Sequence, residues 1–207
     1  MAVKKSSLIK LTTTSLLAGI IILMAFTPVG YIKTAGLEIT LLTIPVVVGA
    51  VTQGPAVGAL LGGIFGVTSF IQAVSGMSAF GLSLVQINPV GSFITCVPTR
   101  LLMGLLAGLI CRAIKKDYPA IVVASLSGPL LNTIMFMSSF IAFFWRTDFV
   151  QGFVTALGSR SVLGFVFAFV GVNGAVELIV CGIISTAVCV ALRKARLTEK
   201  SAARDRS

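Results

Sequence analysis

Histidine is absent and only six acidic residues occur in 207, so the residues able to do chemistry in this chain are few and can be weighed one by one. Glu177 is the acid that falls in the middle of a long apolar run, and Asn173 lies four residues before it, on the same face of a helix. A carboxylate at membrane depth is costly unless it is paired, protonated or wet. Glu177 therefore has two readings: a ligand contact or coupling-ion site, or a structural hydrogen bond to a neighbouring helix. Asn132, mid-way along another apolar run, carries the same two readings, since one amide can join two helices. Arg100 follows Val97-Pro98-Thr99. Read as two residues into a helix, it would set a fixed positive charge beside a helix N-terminus and favour a carboxylate-bearing ligand. Its other reading is an arginine that snorkels to headgroups or pairs with Glu177 or Asp148. Gln86 and Asn88, with Tyr31, Lys33 and Glu38 nearer the N-terminus, are polar groups able to orient a small ligand arriving from outside.

What these groups cannot do is also informative. Paired acids, a histidine or a nucleophile with its base are missing at membrane depth, which argues against an enzyme. No lysine follows a glycine, so the chain has no phosphate-binding G-x-x-x-x-G-K-[ST] loop, no cofactor is expected in it, and any ATP must be hydrolysed by partner subunits. Cys96, Cys111, Cys181 and Cys189 form no C-x-x-C pair, and with no histidine beside them no metal site is expected; they read as buried free thiols.

The elements that must hold these residues are membrane spans. The chain is 57% apolar and 11% charged, with a mean hydropathy of +1.07, and it has room for about six apolar segments of roughly 20 residues. The expected fold is all-α: one multi-pass domain over residues 1–207, with a basic, disordered tail from about 194. The spans read as 11–27, 39–52, 55–73, 97–113, 120–144 and 162–193. The second is short and contains Pro45, so it crosses broken or with part of its depth covered by neighbours. Gly54-Pro55 reverses the chain, and Gly58, Gly62 and Gly66 then form a stripe that lets another helix backbone come close. Residues 75–92 read as a loop folded over the outer mouth of the bundle, and Trp145-Arg146 as an interfacial anchor.

The net charge of +10 does not mark a nucleic-acid binder, because the basic residues sit at chain ends and between apolar runs. With six spans and a cytoplasmic N-terminus, twelve lysines and arginines fall inside and four (Lys33, Arg100, Arg146, Arg160) outside. That bias places both termini in the cytoplasm of a cell-membrane protein. The two halves show no inverted repeat, which weighs against a stand-alone ion-coupled carrier or channel built on Glu177.

Several stretches, in order, resemble the substrate-specific S component of energy-coupling factor (ECF) transporters, most closely the pantothenate-type branch. They are Thr27-Pro28-Val29-Gly30-Tyr31-Ile32 with Leu42-Thr43-Ile44-Pro45-Val46; Gln53-Gly54-Pro55 with Gly62-Gly63-Ile64-Phe65-Gly66; Val97-Pro98-Thr99-Arg100 with Gly104; Gly128-Pro129-Leu130-Leu131-Asn132-Thr133; and Val172-Asn173-Gly174-Ala175-Val176-Glu177. The resemblance implies a six-helix subunit that captures a vitamin under its first and third outer loops. It also implies docking on a membrane scaffold that carries two ATPases, and toppling of the whole body to release substrate inside. The family docks through an alanine-xxx-alanine pattern on the first helix. Here the matching place reads Thr14, Ser15, Ala18 and Gly19, a departure that keeps the residues small. Pantothenate leads as substrate, its carboxylate suiting Arg100 and its amide and hydroxyl groups suiting Asn88, Asn132 and Asn173. Folate and riboflavin are the alternatives.

Overall fold

The computed structural model describes residues 5–33, 38–159 and 161–204, and side chains within 8–31, 39–159 and 161–195. Among the described residues, five helices are long and apolar enough to cross a membrane: α1 (Lys5–Ala25), α3 (Pro55–Val74), α5 (Pro89–Ala113), α6 (Asp117–Phe144) and α8 (Val162–Arg204). Three shorter helices complete the body: α2 (Thr43–Gln53), α4 (Ala79–Ile87) and α7 (Asp148–Ala156). The stretch between α1 and α2 is an antiparallel hairpin, β1 (Tyr31–Lys33) with β2 (Glu38–Thr40), in which Tyr31 faces Thr40.

The segment read as the second span contains the eleven-residue α2, about 16 Å of helix against a hydrocarbon core of about 30 Å. Pro45 does not break it. The proline sits in the first turn, where backbone N–H groups have no intrahelical acceptor in any case. A half-length helix can survive in a bilayer only when protein covers it, and Thr43, Pro45, Val46, Val47, Val48, Gly49 and Ala50 are all buried. Gly54, at φ +103°, makes the reversal into α3, and Pro55 occupies the first turn of that helix.

The glycine stripe is a backbone seam between α3 and α5. A Cβ on Gly58 would lie 2.3 Å from the Gly104 carbonyl oxygen, one on Gly62 2.2 Å from that of Arg100, and one on Gly66 2.7 Å from that of Cys96. Gly104 and Gly108 return the contact, meeting Gly58 and Pro55.

Residues 39 and 40, read as the start of the second span, belong to β2, so its helix α2 begins only at Thr43, and three larger differences from the sequence reading follow. α5 begins at Pro89, not near residue 97, because Asn88 caps it by accepting a hydrogen bond from the Gly91 N–H (2.9 Å) and the helix then runs through Pro98. The stretch read as an outer loop is thus α4, capped by Ser78, together with the first turns of α5. The tail read as disordered continues α8 as far as Arg204. α7 has no counterpart in the sequence reading. It is capped by Thr147, and its Phe149 and Phe153 join Phe80 of α4 and Phe136, Phe140 and Phe169 in one aromatic cluster. The ends of the bundle are chemically distinct. Asp117 at the start of α6 pairs with Arg193 of α8, and Arg112, Lys115, Lys116 and Lys194 lie in the same turns. Lys4 and Arg206 are among the residues not described, as is Arg160.

Gly62→Ala should lower the melting temperature of the detergent-solubilised protein by several degrees, the result of about 1–3 kcal/mol of overpacking. Gly63→Ala, whose Cβ would meet only Leu101 Cδ1 at an ordinary 3.8 Å, should leave it within a degree or two.

Candidate functional site

At the end of the bundle where α1 and α3 finish and α5 and α8 begin, the helices line a partly open cavity of about 120 Å³. That is space for a small organic molecule, well beyond one ion or one water. Tyr31, Arg100, Asn132 and Glu177, four of the residues singled out in the sequence, line it.

Arg100 reaches the cavity by a route other than the one expected. It is not at a helix N-terminus but in the interior of α5, more than two turns beyond Pro89. Side chains on a helix lean toward its N-terminus, and the Arg100 guanidinium accordingly runs back along α5. Its Nη1 donates to the carbonyls of Cys96 (3.0 Å) and Thr95 (3.3 Å). Its Cζ stands 4.6 Å from the centroid of the buried Phe65 ring, a cation–π contact. Among the described residues no carboxylate lies within salt-bridge distance of it, so it pairs with neither Glu177 nor Asp148. Its Nε is buried without a partner, as is the hydroxyl of Ser92, which also lines the cavity. A guanidinium with donors to spare, beside a cavity, has the chemistry to meet an anion.

Glu177 is buried on α8. Its Oε1 accepts the backbone N–H of Thr40 at 2.7 Å, its carboxyl also shares a hydrogen bond with the Asn132 amide, and it feels the charge of Arg100. Thr40 is thereby held from two sides, since Cys181 Sγ, one turn further along α8, lies 3.5 Å from its carbonyl oxygen. The hairpin has one more tie, and the end of α1 has another. Tyr31 Oη and Ser69 Oγ are 3.0 Å apart, and Gln72 donates its amide to the carbonyl of Ala25.

The remaining candidates lie elsewhere. Asn88 spends its side-chain oxygen on the α5 cap, and Gln86 is exposed on α4; neither lines the cavity. Asn173 is half-buried on α8, one turn before Glu177, and is not part of the lining. Lys33 and Glu38 lie outside the residues whose side chains are described. On α1, Ser15 and Gly19 are exposed and Thr14 and Ala18 half-buried. Missed in the sequence were Thr40, Ser69, Gln72 and Ser92, together with an apolar wall of Phe80, Leu84 and Phe136. Gln72 offered a signal, as an amide near the end of an otherwise apolar helix; the phenylalanines offered none among fourteen. The four cysteines are free, three of them buried.

A cavity of this kind, among long helices with apolar side chains on their outer faces, fits a multi-pass membrane protein with room for a small molecule between its helices. The chain belongs to the ECF transporter family, as a substrate-specific component: the family model matches residues 9–189. It is 30% identical over 171 residues to the pantothenic acid transporter PanT of Lactococcus lactis subsp. cremoris, covering 76% of this chain and 79% of that one. ThiT from Listeria monocytogenes has a similar fold, with a TM-score of 0.63 at 16% identity over 92% of this chain and 98% of that one. The protein is therefore a substrate-binding transporter subunit of the cell membrane.

Asn88→Ala should cost about 1 kcal/mol through loss of the cap, visible as a lower melting temperature, whereas Asn88→Ser should recover most of it. Neither should change ligand affinity by more than about twofold.

Proposed function

We propose that this S component captures pantothenate from outside the cell and delivers it with a membrane scaffold subunit and two ATPase subunits that supply the energy. The observation that carries the reading is the Arg100 guanidinium, unpaired by any acid among the described residues and with a buried, unpartnered Nε beside the cavity. Pantothenate ends in a carboxylate that suits it. The apolar wall of Phe80, Leu84 and Phe136 suits the methyl groups of the same molecule. The likeness to a pantothenic acid transporter supports the same substrate class.

Orientation follows from charge. The basic residues Arg112, Lys115, Lys116, Arg193 and Lys194 gather at the end of the bundle away from the cavity, which makes that end cytoplasmic and opens the cavity to the outside. The exposed small residues Ser15 and Gly19 with half-buried Ala18 on α1, a helix only lightly covered by the rest of the body, are the docking stripe for the scaffold. The chain itself holds no cofactor in this reading, and ATP is consumed only by the partners.

Titration calorimetry on the purified subunit should give saturable binding of pantothenate and none of folate or riboflavin. Arg100→Met should weaken pantothenate by about 10–100-fold, the loss of one charge-assisted contact, and Arg100→Lys should not restore it fully, because a point charge lacks the planar fork. Saturable binding of folate or riboflavin with no response to pantothenate would sink the assignment.

A further inference from the structure

Arg100 explains how one end of a ligand is held, but the cavity has a second polar pole that an anion cannot use. Glu177 and Asn132 are both more than nine-tenths buried, both line the cavity, and hydrogen-bond to each other. When ionised, that carboxyl would repel the carboxylate that Arg100 attracts, so one ligand would meet the two groups with different parts.

The carboxyl is also incompletely used. An ionised carboxylate has about four acceptor positions. Thr40 takes one on Oε1, and Asn132 takes another. The Asn132 amide carries both donors and an acceptor. Together they form a patch that can accept from, and donate to, a hydroxyl group, next to the methyl-sized apolar surface of Phe80, Leu84 and Phe136. We infer that Glu177 and Asn132 form a hydroxyl-reading subsite that selects the polyol end of the substrate, distinct from the anion subsite at Arg100. The assignment rests on the pantothenate reading. It makes Glu177 a specificity determinant rather than a coupling-ion site, and it defines the substrate class as a hydroxy acid whose hydroxyls lie at the end remote from its carboxylate.

The test compares three ligands on the purified subunit: pantothenate; N-pivaloyl-β-alanine, which keeps the carboxylate, the amide and a branched apolar end but has no hydroxyl; and β-alanine. Sites built to hydrogen-bond a hydroxyl reject analogues that lack it, by as much as about 10⁴-fold, so the wild type should prefer pantothenate over N-pivaloyl-β-alanine by at least about 100-fold. Glu177→Gln keeps one oxygen for the Thr40 N–H and turns an amide donor toward the ligand. It should cut that preference to within about tenfold, leaving N-pivaloyl-β-alanine affinity within about threefold of wild type. Asn132→Leu should do the same and serves if Glu177→Gln does not fold. Arg100→Met should weaken both ligands equally and leave the ratio unchanged. If Glu177→Gln weakens both ligands by the same factor, Glu177 acts only by holding the hairpin through Thr40, and the subsite is wrong while the pantothenate reading stands. A wild type that does not discriminate between the two, or that binds β-alanine more tightly than pantothenate, also overturns it. If the wild type binds none of the three, the pantothenate reading falls and takes the subsite with it.

Discussion

The contact on which the rest of this protein depends is the close approach of α3 and α5, backbone against backbone. In lipid there is no hydrophobic gain from bringing two apolar helices together, so association relies on van der Waals contact over a surface without side chains in the way. Gly58, Gly62 and Gly66 supply that surface on one helix, Gly104 and Gly108 on the other. Gly62 rests on the peptide of Arg100 itself. The seam therefore fixes the height of the guanidinium in the membrane and brings Ser69 and Gln72 of α3 to the same level as Cys96 and Ser92 of α5. It also leaves the half-length α2 a place against α3 and α6, where Gly128 makes room for Val47.

With that frame set, the polar interior follows from one constraint: each charged group in the cavity must be supported by protein yet left available. Arg100 is supported by two carbonyls of its own helix and by the Phe65 ring, and Glu177 by the Thr40 N–H and the Asn132 amide. Neither is neutralised by the other in a direct ion pair. Had they paired, the cavity would be a satisfied structural bridge with little to offer a ligand. Kept apart, they give it two poles, with an aromatic and aliphatic wall alongside. The Glu177 bond to Thr40 also means that the pole on α8 and the hairpin above it are one mechanical unit. Tyr31 and Gln72 anchor the other hairpin strand and the end of α1 to α3.

Much of this was legible in the residues. The glycine stripe declared its seam because a four-residue period of glycine in an apolar run has few other uses. Glu177, Asn132 and Arg100 stand out because polar groups at membrane depth are costly, and all three line the cavity. What could not be read was everything set by caps and short helices. Asn88-Pro89 opens α5 two turns before the apolar run looks like a span, so Arg100 was placed at a helix end when it lies inside the helix. α4 and α7 are nine residues each, below the length at which periodicity separates a helix from a loop, although Ser78 and Thr147 mark their starts. Asn88 and Gln86 were chosen for polarity alone. Which way a side chain on such a short segment faces is decided by packing, here by Phe80 turning into the phenylalanine cluster.

The central claim is that one small molecule spans the cavity from Arg100 to Glu177. A structure of the subunit solved with pantothenate bound addresses it most directly. The account predicts ligand density inside this cavity, with the carboxylate at the Arg100 guanidinium and the hydroxyl-bearing end at Glu177 and Asn132. Density at another site, or a ligand in the reverse direction with its carboxylate away from Arg100, would contradict it.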